Sequence, residues 1–364
     1  MKKKTAALFM TAVMTAAALA GCGNSGTAQN GNTTQSESTE QSSDAAQSTE
    51  QSGGVVYKVG IVQFVDDASL NQIESAIEKE LNAKAAELGV TFDYEDYTYN
   101  GQADSTVLNQ IASELVASEV DVIVPIATPA AMIMQNATEE NRIPVVFSAV
   151  SDPVGAGLVV SIDSPGSNIT GTSDALDTEA ILALMFAANP DIQKVGLLYS
   201  KSEDSSRLPV ETAKAYCEAK GVAVEEKTGT TNDEVSLAAD ALIASGVDAV
   251  FTPTDNTVMT AELAIYEKFI EAGVPHYGGA DSFALNGAFM GYGVNYEELG
   301  TATADMVVDI LVNGADPAST AVVMLDNGIA TVNTETAQAI GLDYSMFADM
   351  CAELKEITTA EEFE

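Results

Sequence analysis

The sequence predicts an α/β protein: two doubly wound parallel-sheet lobes joined by several chain crossings. Three observations carry that prediction. From Val55 onward, strand-like apolar runs alternate with helix-length segments. The apolar runs are rich in Val and Ile with little polar interruption, the pattern of strands covered on both faces, as helices cover a parallel sheet. The second half of the chain then repeats the plan of the first in the same order. The span from Val55 to Glu364 also exceeds the size at which a single core stops growing, roughly 250–300 residues, so two domains are expected.

Each element follows from its local pattern. VYKVGIVQF (56–64) is a strand, and the helix after it runs over 69–88 until Gly89. VTFDYEDYTY (90–99) is a second strand and 105–117 a second helix. VDVIVPI (120–126) is a third strand, a helix opens at Pro129, and IPVVFSAV (143–150) is a fourth strand. The second half starts with a helix over 179–188, the strand KVGLLYS (194–200) and a helix over 205–220 that Gly221 stops. Strand VAVEEK (222–227), helix 234–245, strand VDAVFTP (247–253), helix 258–272 and strand VPHYGG (274–279) follow. Three pairs of segments align between the halves: VGIVQF with VGLLYS, EVDVIVPIATPA with GVDAVFTPTDNT, and NRIPVVFSAVSD with AGVPHYGGADS. Duplication explains three matches in one order better than chance likeness of loops.

Beyond Gly279 the glycines Gly287, Gly291 and Gly293 indicate a crossing between lobes rather than another regular unit. A helix over Tyr296–Leu311, strands VVMLD (322–326) and IATVN (329–333), and a short helix from Thr334 complete the plan. The expected first lobe is 55–172 plus about 283–320, and the second is 173–282 plus about 321–350, with an acidic tail over 351–364. Several crossings make a hinge, and hinged lobes can close over a ligand.

Residues 1–21 have the parts of a secretory leader: Lys2, Lys3 and Lys4, then an apolar run from Ala6 to Ala20. The run is shorter than the roughly 20 residues a membrane-spanning helix needs. Leu19-Ala20-Gly21-Cys22 resembles the lipobox of bacterial lipoproteins. That resemblance implies a diacylglycerol on Cys22, which becomes the first mature residue. Over 22–54 the only aliphatic side chains are Ala28, Ala45 and Ala46, and no Lys or Arg occurs, so a disordered tether spanning about 30 Å is expected. Such a tether implies an extracytoplasmic membrane anchor, typical of a Gram-positive surface.

Composition excludes other classes. Fifteen Lys and Arg stand against 54 Asp and Glu, a formal charge of −39. So acidic a surface repels phosphate backbones and anionic lipid, which argues against nucleic acid and leaves membrane association to the tether. Cys217 and Cys351 lack metal-type spacing and read as small buried residues, with a disulfide between them as the alternative. The chain has one histidine, His276, and no nucleophile elbow, phosphate loop or metal cluster. A non-enzyme without cofactor or metal is expected.

The whole of 57–350 is similar to the tryptophan/tyrosine-type substrate-binding lipoproteins of ABC importers. The motifs that carry the likeness are VGIVQFVDDASL (59–70), IATPAA (126–131), IPVVFSAVSDPVGAGLV (143–159), NITGTSD (168–174), VGLLYSKSEDSS (195–206) and YGVNYEELGTATADMVVDIL (292–311). The first motif departs from relatives that carry Glu-His before an Ala/Pro-Leu pair; here the loop reads Asp66-Asp67-Ala68-Ser69-Leu70. The resemblance implies a type I periplasmic-binding-protein-like fold with two flavodoxin-like lobes. It also implies a monomer that delivers an amino acid, aromatic in first place, to an ABC permease and its ATPase subunit. A ligand-sensing module, or a receptor for a nucleoside or a branched-chain amino acid, is the alternative.

Ligands of open parallel sheets bind beyond the carboxyl ends of the strands. An amino acid there needs donors for its carboxylate and acceptors for its ammonium. Thr128, Pro129 and Ala130 open a helix whose N-terminus offers amide donors, though plain capping would use the same residues. Thr254, Asp255 and Asn256 are the equivalent loop in the second half. Glu203, Ser205 and Ser206 form another helix start, and Ser148, Ser151 and Asp152 end a strand in a sequence that also reads as a turn. Asp174, Asp255 and Asp281 are the candidate ammonium partners. Gln63 and Phe64 end the first strand; Phe64 and its counterpart Tyr199 can wall a side-chain pocket or belong to the core.

Overall fold

The structure, a computed structural model, describes residues 54–363. The leader, Cys22 and linker residues 23–53 lie outside the described residues. The first lobe opens with β1 (Val56–Gln63) and α1 (Ala68–Leu88). Asp67 caps α1 by accepting from the amides of Ser69 and Leu70 at 2.9 and 3.4 Å, and Gly89 ends it in the left-handed region at φ 70°. β2 (Thr91–Asp93), β3 (Thr98–Asn100), α2 (Ser105–Ala117), β4 (Val122–Ile126), α3 (Thr128–Thr138), β5 (Val145–Phe147) and β6 (Ile169–Ser173) follow.

The second lobe runs through α4 (Thr178–Ala188), β7 (Lys194–Tyr199), α5 (Arg207–Lys220), β8 (Ala223–Thr228), α6 (Asn232–Ala244) and β9 (Ala249–Thr252). It continues with α7 (Asn256–Met259), α8 (Glu262–Ala272), β10 (His276–Gly278), α9 (Asp281–Leu285) and β11 (Met290–Gly293). α10 (Tyr296–Leu311) returns to pack on α1, β12 (Val323–Met324) joins the first sheet, and β13 (Ile329–Asn333), α11 (Thr334–Ile340) and β14 (Glu353–Ile357) finish the second.

The strand order is β12-β6-β5-β4-β1-β2 in one sheet, with β3 also on β1, and β14-β13-β11-β10-β9-β7-β8 in the other. Every pairing is parallel except β11 with β13. Both lobes thus have the same doubly wound core, with the order reversing between β1 and β4 and again between β7 and β9. The central strands explain the unbroken apolar runs: Val122, Ile123, Val124 and Ile126 are all fully buried, as are Val195, Leu197 and Leu198. Each such side chain contributes about 1.5–3 kcal/mol by leaving water.

Five expectations change. The strand expected over 322–326 in the second lobe is β12, which pairs with β6 in the first sheet. The strand expected over 90–99 is interrupted by a turn at Glu95–Tyr97, because Tyr94 stays buried while Glu95 and Asp96 face outward; the two pieces pair with opposite ends of β1. The helix expected over 258–272 breaks between α7 and α8, where the Thr260 hydroxyl donates back to the Thr257 carbonyl. The crossing expected at Gly287–Gly293 contains a regular strand, β11. Gly291 is needed there because a Cβ would sit 2.1 Å from the Ala280 carbonyl, so that glycine marks a close approach and not a lobe boundary. The acidic tail expected over 351–364 includes β14, parallel to β13. Beyond it, the Ala360 amide donates to the Leu285 carbonyl at 2.9 Å. Cys217 and Cys351 are free thiols.

Candidate functional site

The carboxyl ends of β1, β4 and β5 face those of β9 and β10 across a small cavity. It has a volume of about 10 Å³, enough for about one water. From the first lobe Ser69, Leu70, Ala127, Thr128, Ala149, Ser151, Asp174 and Tyr296 line it; from the second come Ser205, Thr254, Asn256, Met259 and Ala280.

Its first-lobe wall is strained and unspent. Ala127 and Ala149 sit at φ 80° and 55°, a region that costs a residue with a Cβ on the order of 1 kcal/mol or more. Ala127 precedes α3 and provides no side-chain cap. Thr128, the first residue of α3, is 2% exposed, and its Oγ1 has no hydrogen-bond partner. A buried hydroxyl left unpaired costs about 1–3 kcal/mol. Beside the first-turn amides, which have no partner within the helix, it can donate to an acceptor placed in the cavity.

Carboxylates supply the complementary chemistry. Ser151 Oγ donates to Asp174 Oδ1 at 3.0 Å, and burial pushes the Asp174 carboxyl up to about 6. Burial raises Asp67 to about 7. The Tyr296 phenol is pushed well above its ordinary range by burial and by facing Asp174, Asp281 and Asp67. Among the described residues no ion pair neutralises Asp67, Asp174, Glu203 or Asp255. A site with buried carboxyls and no resident cation suits a ligand that carries a positive charge, which favours their ionised form.

The second-lobe wall is bound up in its own framework. Asp255 caps α7 through the Val258 amide at 3.0 Å and also accepts from the Ser200 amide at 2.7 Å and Ser206 Oγ at 2.6 Å. Thr254 Oγ1 donates to the Gly279 carbonyl and Ser205 Oγ to the Thr254 carbonyl, both at 2.9 Å. Glu203 accepts from Asn256 Nδ2 at 3.1 Å and Thr257 Oγ1 at 3.4 Å; burial and the neighbouring Asp255 both raise its carboxyl.

The lobes touch directly beside the cavity. Ser69 Oγ donates to Asp281 Oδ1 at 2.6 Å and accepts from the Ser282 amide at 3.1 Å, and Gln72 Nε2 donates to Asp281 Oδ2 at 3.3 Å. At the rim Arg207 Nη2 donates to the Gly155 carbonyl at 3.1 Å.

Of the residues singled out from sequence, Thr128, Ser151, Asp174, Ser205, Thr254 and Asn256 line the cavity. Phe64, Pro129 and Glu203 line an adjoining outer groove, and Asp152 lines a smaller recess while accepting from the Gly155 amide at 2.7 Å as a turn cap. The others are engaged elsewhere. Gln63 Nε2 donates to Asn71 Oδ1 at 2.7 Å, and Ala130 is packed inside. Ser148 belongs to a buried hydroxyl trio with Thr172 and Thr303 inside the first lobe, 3.4 and 2.8 Å away. The Tyr199 hydroxyl donates to Glu226 at 2.8 Å at the sheet edge. Asp255 and Ser206 bond each other, and Asp281 bridges the lobes. Ser69, Leu70, Ala127, Ala149, Met259, Ala280 and Tyr296 complete the lining without having been singled out. For Tyr296 the available signal was its position one residue after a helix cap that follows a strand end.

Two like-folded lobes with their switch points facing each other over a cavity define a two-lobed receptor for a small molecule. The family model described as ABC transporter substrate binding protein matches residues 58–347, and the chain belongs to that family. It is therefore a binding protein and not an enzyme, of a family that works outside the cytoplasm. A protein from Clostridioides difficile (strain R20291) named tyrosine-binding protein is 31% identical over 286 residues, 78% of this chain and 81% of that one. The crystal structure of an ABC domain in complex with L-Trp from Streptococcus pneumonia is 31% identical with a TM-score of 0.75, covering 82% of this chain and 99% of the other. The ligand-free, open structure of a substrate-binding protein with adhesive properties from Clostridium difficile is 30% identical with a TM-score of 0.63, covering 84% and 100%. Among the described residues no helix is long and apolar enough to cross a membrane.

Proposed function

We propose that this chain is the receptor of an ABC importer for an amino acid, aromatic in preference, and that it closes its lobes over the ligand and presents it to a permease. One observation carries the reading: the partnerless Thr128 hydroxyl at the start of α3 shares a cavity with the buried carboxylate of Asp174. With the lobes parted beyond the spacing of this structure, where the cavity holds about one water, Thr128 and the α3 amides receive the ligand carboxylate, and Asp174, oriented by Ser151, receives its ammonium. The tyrosine and L-Trp named for the two relatives at 31% identity support the aromatic class. Closure is supported by the direct bonds from Ser69 to Asp281 and Ser282. It is also supported by a higher TM-score to the L-Trp complex than to the open structure, at nearly equal identity. Anchoring through a lipid on Cys22, a tether over 23–54 and action as a monomer complete the proposal.

The test is a thermal-shift panel of amino acids, nucleosides and sugars. A ligand at 100 times its Kd adds about 2.7 kcal/mol of stability, so tyrosine, tryptophan or phenylalanine should raise the melting temperature distinctly. A nucleoside that raises it while every amino acid leaves it unchanged overturns the assignment.

A further inference from the structure

The inner cavity, at about 10 Å³, is far too small for an aromatic ring. A groove of about 510 Å³ adjoins it, reached past two consecutive pairs: Thr128 and Asn256 line the cavity, while Pro129 and Thr257 line the groove. The first lobe faces this groove with apolar groups, Phe64, Leu108, Pro129 and Ile133. The second lobe answers with Glu203, which is 5% exposed, and Thr257. Glu203 makes no ion pair among the described residues, and its carboxylate accepts from the Asn256 side-chain amide and the Thr257 hydroxyl, both next to the cleft. An apolar wall opposite a buried acceptor matches a flat ring that bears a hydrogen-bond donor.

We infer that the outer groove is the side-chain subsite of the cleft, and that Glu203 selects ligands whose ring carries an N–H or O–H over those whose ring carries none. This rests on the amino-acid reading above and deepens it: tyrosine and tryptophan are favoured and phenylalanine is disfavoured. The carboxyl offers an acceptor oxygen whether or not it is protonated, so recognition does not depend on its charge. Each Glu203 oxygen holds one framework bond and keeps a second acceptor position, so a ring that carries a donor gains a hydrogen bond that a ring without one forgoes.

Calorimetry of tyrosine, phenylalanine, tryptophan and 1-methyltryptophan tests it, with wild type, Glu203→Ala and Glu203→Gln. Wild type should prefer tyrosine to phenylalanine, and tryptophan to its N-methyl analogue, by about tenfold or more. Glu203→Ala should bring both ratios close to one, and Glu203→Gln, which keeps a carbonyl acceptor, should retain most of the preference. Equal wild-type affinity for tyrosine and phenylalanine refutes the inference even if Glu203→Ala fails to fold, and so does a Glu203→Ala variant that keeps the wild-type ratios. Either result leaves the amino-acid reading standing, whereas a wild type that binds none of the four ligands ends the inference together with the aromatic preference in that reading.

Discussion

The loops after β4 and β9 occupy the same position in two lobes of the same topology, yet they spend their polar groups differently. After β4, Ala127 is strained, α3 has no side-chain cap, and the Thr128 hydroxyl is buried without a partner. After β9, Asp255 caps α7 and accepts from Ser200 and Ser206, and Thr254 bonds Gly279. A repeated fold therefore does not repeat a binding site. The first lobe carries uncommitted donors at a cost in stability, and the second supplies a rigid wall opposite them.

This contrast can be broken by substitution. The largest effect is expected at Asp255→Ala, which strands the Ser200 and Val258 amides and the Ser206 hydroxyl in the interior. A loss of about 3 kcal/mol or more is expected, read by denaturant unfolding. A variant as stable as wild type would show that the second loop is not a framework.

Next comes Asp174→Asn, for which about a hundredfold loss of amino-acid affinity is expected with little loss of stability at neutral pH. The sign of its pH dependence distinguishes the two roles. Burial raises the folded-state carboxyl from 3.8 to about 6, so the folded chain binds more protons than the unfolded one between those values. Its contribution to stability is present below about pH 4 and is lost as pH rises through about 6. Affinity runs the other way, because the ammonium needs the ionised carboxylate: binding should weaken as pH falls through that window. Measured from pH 4 to 7, the affinity trend should be lost in Asp174→Asn, and the melting-temperature trend reduced but not abolished, because burial also raises Asp67 to about 7 and Asp255 to about 6.

The smallest effect is expected at Thr128→Val. The hydroxyl has no partner to lose, so stability should stay within about 1 kcal/mol or rise slightly, while affinity falls about tenfold. A stability loss as large as that of Asp255→Ala would erase the difference between the loops.

The fold was legible because burial on both faces imposes a composition that survives in sequence. The bounds of α2 and α10 coincide with the apolar periods, and the paired halves share one strand order. Glycine proved ambiguous: Gly291 permits a close pass by Ala280 within a regular strand, and sequence alone does not separate that from a crossing. At the cleft, sequence located the strand-end loops but could not say which polar groups were already engaged. Ser148 looks as available as Ser151 in SAVSD; only packing shows the first held by Thr303 and the second free to orient Asp174. Tyr296 was missed because it reaches the cavity from α10, a helix far along the chain from the loops it joins.

The order in which the chain visits the sheets has a consequence for biosynthesis. The first sheet takes β1 to β6 from residues 56–173, but its edge strand β12 comes from 323–324 and the helix packed on α1 from 296–311. Neither lobe is complete until most of the polypeptide has emerged from the ribosome. Until α10 arrives, the face of α1 that it covers has no neighbour. Cutting the gene at the visible boundary near residue 174 would make that transient exposure permanent.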